Sequence, residues 1–287
     1  MALRIGTCSW KYPSWQGLVY SRGKGINYLE EYSRHFNTVE IDQWFWSLHG
    51  PGSVTLPERH VAEEYARSVP GGFTFSVKIP NSITLTHFYS RSKTDPPTVN
   101  PHFLSHALFL KFLERLEPMH SRLGPLMFQF AYLNKQKMTS QDRFQEQLGD
   151  FLWQLPGGFT FAVEIRNPNY LNTGYFRFLR QNNAIPVFLQ GYYMPPVDRV
   201  IDDHRKEIES PAVIRLHGPD RKKIEEKTGG CWNTLAEPRD EELDRIVKMI
   251  RSLETRDSDL YVNVNNHYEG SAPLTIQRIL ERLSRND

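Results

Sequence analysis

Glu164 and Arg166 stand two residues apart at the end of an alternating run, Phe159-Thr-Phe-Ala-Val-Glu164-Ile-Arg166. Strand side chains at i and i+2 share a face, so a carboxylate and a guanidinium would project together. A carboxylate so placed can give or take a proton, and the cation beside it can hold an anion. The run has an echo. Pro156-Gly-Gly-Phe-Thr-Phe-Ala-Val-Glu164-Ile repeats Pro70-Gly-Gly-Phe-Thr-Phe-Ser-Val-Lys78-Ile, with Lys78 where Glu164 stands. Two like strands thus deliver a base and a cation to equivalent positions.

Other apolar runs end in the same way. Thr7 closes the first, Glu40 and Asp42 the second, Gln129 the fourth and Gln190 the sixth. Arg215 and His217 close the seventh, and Asn263, Asn265 and Asn266 the last. On this pattern Glu164 is a general base or acid and Glu40 its carboxylate partner. Lys78, Arg166 and Arg215 hold anionic groups, and His217 shuttles a proton. Lys78 has two readings: an ionic partner of Glu40 or Glu164, or an amine activated by desolvation for imine chemistry. A purely structural ion pair between Glu164 and Arg166 is the competing account, since buried pairs perturb protonation without catalysing anything. It weakens when every strand ends on a polar group, because buried charges cost several kcal/mol apiece unless paired.

Glu40, Asp42, Glu164, His217 and Asn265 are donors suited to Mg2+ or Mn2+, although no compact motif such as HExxH assigns a metal. No Gly-x-Ser-x-Gly supports a serine nucleophile. Trp10, Tyr12 and Trp15, with Trp44, Phe45 and Trp46, could stack on a sugar or a base, or pack loops over the fold. His87 sits in a polar loop that also carries Pro96-Pro97. Asn265-Asn266 could also serve simply as turn residues.

Helical segments alternate with these runs. Ile26 to Phe36, Val54 to Ser68, Phe103 to His120, Ser140 to Leu152, Tyr175 to Asn182, Glu241 to Leu253 and Pro273 to Leu283 read as helices, with Ser140 a cap. Gly191 to Ser210 reads as a long irregular connection. The charge run Arg221 to Lys227 reads as a solvated loop before a Gly229-Gly230 hinge. Eight strands alternating with helices in 287 residues suit a single (β/α)8 TIM-type barrel, an α/β fold of about 250 residues. A doubly wound open sheet is disfavoured, because no Gly-x-Gly-x-x-Gly follows the first strand. No linker divides the chain, so residues 1–287 are expected to form one domain. In a barrel, alternate strands share interior layers at the C-terminal mouth. Lys78, Glu164 and the Arg215/His217 pair would then form one layer, and Glu40, Gln129 and Asn265 another.

Composition narrows the partners. Charged residues are 24% and hydrophobic residues 39%, a soluble globular balance, and a net charge of +2 gives no general drive toward nucleic acid. The two cysteines, Cys8 and Cys231, form no CxxC, which suggests neither a disulfide framework nor a zinc site. The N-terminus has no apolar h-region and no run has the length of a membrane span, so a cytoplasmic location is expected.

A resemblance adds to this. Ile5-Gly-Thr-Cys-Ser-Trp10-Lys-Tyr12-Pro-Ser-Trp15-Gln-Gly17, Phe36-Asn-Thr-Val-Glu40-Ile-Asp42, Phe75-Ser-Val-Lys78, Thr86-His87, Leu123-Gly-Pro-Leu-Met-Phe-Gln129, Val163-Glu164-Ile-Arg166, Arg215-Leu-His217-Gly218 and Val264-Asn265-Asn266 resemble the YecE-like family, domain-of-unknown-function family 72. The motifs occur in the same order over nearly the whole chain. The resemblance implies a TIM-type barrel and no settled reaction. This chain departs from the family pattern in several places. Cys8-Ser9 replaces the usual Ser-Gly, Asp42 the usual Asn, Phe45-Trp46 the Phe-Tyr, and Val264 the Phe of Phe-Asn-Asn. Phe-Ala-Tyr follows Gln129 in place of Leu-Pro-Pro.

The reading favoured by these residues is an acid/base enzyme, a hydrolase or a lyase/isomerase. Its substrate would be small, polar and anionic, phosphorylated or nucleotide-like. The alternatives are a protein that binds or processes nucleic acid, and a non-catalytic ligand-binding or scaffold barrel.

Overall fold

In a computed structural model, which describes residues 3–50, 52–89, 98–208, 212–254 and 259–285, eight parallel strands close into a barrel. They are β1 (Leu3–Cys8), β2 (Thr38–Ile41), β3 (Thr74–Lys78), β4 (Leu123–Phe130), β5 (Phe161–Ile165), β6 (Ala184–Gly191), β7 (Val213–Gly218) and β8 (Leu260–Val264). Each strand pairs with the next in sequence, and β1 pairs with both β2 and β8, which closes the ring. The expected TIM-type barrel is therefore observed.

Strand alternation explains the layering. Outward residues such as Val39, Ile41, Phe75, Val77, Phe128, Val163 and Val262 pack under the helices. Inward residues Met127, Ala162, Ile185, Val187, Val213 and Tyr261 form a separate apolar plug inside the barrel. Beyond this plug the inward positions become polar, and the barrel's chemistry begins there.

The echoed segments form β3 and β5. Each is launched by a glycine in the left-handed region, Gly72 at φ 85° and Gly158 at φ 88°. No atom crowds the Cβ position at either site, so backbone conformation is what requires glycine.

Several helices are shorter than their sequence patterns. Ile26 to Phe36 reduces to Tyr28–Tyr32, capped by Asn27. Val54 to Ser68 reduces to Arg59–Arg67, preceded by a two-stranded ribbon of Leu48–Gly50 and Ser53–Val54. Ser140 caps Gln141–Trp153 as expected, accepting from the Arg143 N–H at 3.1 Å.

Two loop expectations are corrected. The run beginning at Arg221 is the helix Arg221–Thr228, not a loop. Asp220 caps it through the Lys223 N–H, Arg221–Glu225 and Lys222–Glu226 pair at i,i+4, and Gly229 ends it with a left-handed φ. The mixed charges read as solvation are thus helix-supporting pairs. The connection after β6 likewise holds a helix, Val197–Asp203, whose Val197, Val200 and Ile201 are buried. The Pro96-Pro97 pair lies outside the described residues. Among the described residues, no helix is long and apolar enough to cross a membrane.

Candidate active site

The centre of the mouth is Arg215, projected inward from β7 and 2% exposed. Its Nε and Nη2 bind the two oxygens of Glu40 at 2.8 and 2.6 Å. Its Nη1 donates to Glu164 Oε2 and, at 3.1 Å, to Gln129 Oε1. Arg166 Nε completes the cluster on Glu164 Oε1 at 2.9 Å. A planar guanidinium matches this arrangement because its donors lie in a fixed fork.

The cluster corrects the expected division into two layers. Glu40 from β2, Gln129 from β4 and Glu164 from β5 all meet the one β7 arginine, whose length bridges the interior. It also changes two roles. Arg215 spends its guanidinium on two carboxylates, so it is an anchor and not an exposed anion holder. Both oxygens of Glu164 are engaged. Burial alone would raise its carboxyl, but Arg215 and Arg166 outweigh burial and hold it down to about 2. A carboxyl held so low gives up its proton far below neutral pH and serves poorly as a base there.

The groups around this anchor behave differently. Lys78 ends β3, is half-buried, and places Nζ 3.9 Å from the centre of the Phe45 ring. Burial, then Arg215, lower its ammonium to about 8 against the pull of Glu40, Asp42 and Glu164. Asp42 is raised by burial and by Glu40, partly opposed by Lys78 and Arg215. His217 is held well below its usual range by burial and by Arg215, Arg166 and Lys78, so it is neutral at pH 7. Its Nδ1 lies 3.4 Å from the Tyr192 hydroxyl and its Nε2 3.7 Å from Cys8 Sγ. Burial, then Glu40, push the Cys8 thiol up, and it donates to Glu40 Oε2 at 3.6 Å.

The remaining expected site residues divide. Tyr12 reaches the edge of the site, donating to the Cys8 carbonyl at 3.3 Å. Trp15 is fully buried against Tyr12 and Tyr20, so its ring has no open face for a ligand. Trp10 is 4% exposed and sits edge-on to Tyr65, lining a cavity of about 340 Å3 that includes none of the ionic cluster. His87 bonds Thr86 at 3.0 Å and does not join the cluster. Asn265 accepts from the His267 N–H and Asn266 from the Ala272 N–H, so both shape the turn after β8. Among the described residues, no three His, Cys, Asp or Glu side chains are placed to hold a metal ion. The donor set expected for Mg2+ or Mn2+ does not gather, because Arg215 takes the oxygens of Glu40 and Glu164.

The sequence reading gave no site role to several residues that the fold brings here. Cys8 was legible only as an inward position two residues after Gly6. Asn263 and Ser76 are fully buried at the level of the cluster, in register with Arg215 and Glu40 respectively. Asn263 Oδ1 and Nδ2 and Ser76 Oγ have no hydrogen-bond partner among the described residues. Open aromatic rings on the loops after β2, β3, β4 and β6 are Trp46, Tyr89, Tyr132 and Tyr193. They pair as Trp46–Tyr89, 5.8 Å apart, and Tyr132–Tyr193, 6.3 Å apart. Ser9, at φ 66°, and Tyr192, at φ 52°, are non-glycine residues in the left-handed region beside Cys8 and His217, a kind of strain that concentrates at functional sites.

Residues 4–287 match the family model described as protein of unknown function DUF72. The chain is 28% identical over 201 residues to UPF0759 protein YecE of Escherichia coli strain K12, covering 70% of this chain and 59% of that protein. It thus spans less than two thirds of that relative's length. It is 24% identical over 274 residues to UPF0759 protein YunF of Bacillus subtilis strain 168, covering 89% and 86%. Among solved structures, a DUF72 family protein of Thermotoga maritima MSB8 superposes with a TM-score of 0.68 at 21% identity, covering 99% of this chain and 100% of that one. One from Enterococcus faecalis V583 gives 0.68 at 18% identity, covering 100% and 97%. At these identities the structural likeness speaks for the fold.

Proposed function

The chain belongs to the DUF72 family, and on that premise we propose that it is an enzyme that moves protons on a small, polar, anionic substrate at the barrel mouth. The observation that carries this is the contrast inside the mouth. Glu40, Arg215 and Glu164 lock one another, while Lys78, Asp42 and His217 stand around them with protonation shifted toward neutrality or below. A site built only for stability gains nothing from a lysine whose ammonium is destabilised.

In this reading Arg166 holds the substrate's anionic group. It is 24% exposed; among the described residues only its Nε is hydrogen-bonded, and its guanidinium lies 5.4 Å from the centre of the Tyr192 ring. Its two terminal nitrogens form the fork that suits phosphate or carboxylate. Lys78 and Asp42 exchange protons with the reacting atoms, and neutral His217 accepts a hydrogen bond from the substrate. The rim rings Trp46, Tyr89, Tyr132 and Tyr193 take the role first given to Trp10 and Trp15 and stack on the flat part of the substrate. Among hydrolysis, lyase and isomerase steps, the amine favours the last two.

The test is thermal melting with phosphate, sulfate and nucleotides for the wild type and Arg166→Gln. A wild-type shift lost in the variant is expected; at a hundred times Kd it corresponds to about 2.7 kcal/mol. No shift with any anion would end this reading. Exposed rings beside a guanidinium also suit single-stranded nucleic acid, which would bind with steep salt dependence.

A further inference from the structure

We propose that Lys78 forms an imine, and that the substrate is a small aldehyde or ketone carrying a phosphate or carboxylate. This rests on the mouth reading above and names its substrate class.

The geometry argues against the alternative role for Lys78, that of an ionic partner. Among the described residues its Nζ has no ion pair and no hydrogen bond, although three carboxylates, Glu40, Asp42 and Glu164, lie in the same mouth. Arg215 occupies both oxygens of Glu40, and Arg215 and Arg166 occupy those of Glu164. The amine lies instead on the face of Phe45. The ring is an apolar floor with no acceptor that would tie up the nitrogen. Lys78 keeps partial exposure at the mouth end of β3.

The surrounding charges bear on reactivity. Only the neutral amine is a nucleophile. Lowering the ammonium from 10.5 to about 8 multiplies the neutral share at pH 7 by about 300 over an ordinary lysine. The charged and titratable groups that act on it are Arg215, Glu40, Asp42 and Glu164, and it in turn acts on His217 and Cys8. Arg166 stands at the same mouth for the anionic group.

The step balances without a redox partner. The amine lone pair attacks the carbonyl carbon, a C–N bond forms, and the C=O π pair moves to oxygen, which is protonated. Nitrogen loses a proton, and the hydroxyl leaves as water once it takes a proton from Asp42, while the nitrogen lone pair closes the C=N bond. One amine, one carbonyl and the proton from Asp42 give one protonated imine and one water, and Asp42 is left as the carboxylate. The protonated imine then draws electrons from the adjacent C–H or C–C bond, which is what a lyase or isomerase needs.

The experiment treats the full chain with dihydroxyacetone phosphate or pyruvate and sodium cyanoborohydride. The reductant delivers hydride to the imine carbon and fixes it as a secondary amine. Peptide mass spectrometry should find the adduct at Lys78, formed at least about tenfold faster than at an exposed lysine such as Lys248. It should vanish in Lys78→Met and Lys78→Arg, the second keeping the charge in case the first folds poorly, and persist in Lys248→Met. Labelling no faster at Lys78 than at Lys248 overturns the imine. If phosphate then still raises the wild-type melting temperature but not that of Arg166→Gln, the mouth reading survives. If phosphate has no effect either, both fall.

Discussion

β3 and β5 are nearly the same sequence put to opposite uses. Both start from a left-handed glycine, both send Phe and Val outward, and both end inward on a charge. Glu164 ends β5 in register with Gln129 and is tied on both oxygens. Lys78 ends β3 in register with Met127 and finds a phenyl ring. One turn and one alternation thus deliver either a locked ion or an open amine. What the closed ring sets opposite each end decides which: Arg215 of β7 for Glu164, Phe45 after β2 for Lys78.

The largest expected effect breaks the locked side. Glu164→Gln removes one carboxylate from a buried pair and leaves Arg215 undercompensated. It should cost about 3–5 kcal/mol in urea unfolding. A cost below about 1 kcal/mol would mean that the cluster is wet and loose, and that the two strands do not differ as described.

Acid probes the same carboxyl. Its folded value of about 2 lies below its ordinary 4.5. Its contribution is therefore complete above about pH 4.5 and is lost as pH falls toward 2, amounting to about 3 kcal/mol. Stability measured from pH 6 to pH 2 should fall in the wild type, and Glu164→Gln should flatten that fall. Equal slopes in the two proteins would contradict it.

Lys78→Met should matter far less to stability, within about 1 kcal/mol at neutral pH. It loses the contact with Phe45 but also the burial of a charge. The pH dependence has the same sign as that of Glu164 for the opposite reason, since here the charged form is the one that folding disfavours. Between about 8 and 10.5 the folded amine is neutral while the unfolded one is charged. Wild-type stability should therefore rise with pH in that window, and Lys78→Met should lack the rise. Arg215, Glu40, Asp42 and Glu164, the groups that act on this amine, are unchanged in the variant. A wild-type decline across the window that is absent from the variant would show that the amine is stabilised when charged, as an ionic partner would make it.

The smallest effect concerns the residue two before each charge. β3 has Ser76 where β5 has Ala162, and Ser76 Oγ is buried with no partner among the described residues. Making the strands alike with Ser76→Ala should raise stability by a few tenths to about 1 kcal/mol, because an unpaired buried hydroxyl pays for its lost hydration. A loss of stability would reveal a bound water or ligand at that hydroxyl, next to Glu40 in register.

The sequence carried the architecture well because a barrel strand writes its own signature. Apolar alternation of period two ending on a polar residue marked all eight strands and located the mouth, although Thr7 and Gln190 turn outward to Tyr32 and Val197. The run starting at Arg221 misled because charge alone does not separate a solvated loop from a helix; the Asp220 cap and the i,i+4 spacing do. Trp15 misled because an aromatic near glycine and proline packs inward as readily as it stays open.

Sequence by itself determined the fold, the end of the barrel that carries the charges, and which side chains share a strand face. These follow from local backbone geometry, in which spacing along the chain sets direction. Only the tertiary structure decided which charges neutralise one another. Arg215 reaches Glu40 across 175 positions and Glu164 across 51. Nothing in local spacing says that one guanidinium satisfies both carboxylates and leaves Lys78 with neither. Long-range Coulomb pairing and burial set that outcome. They act through distances that exist only once the ring of strands has closed.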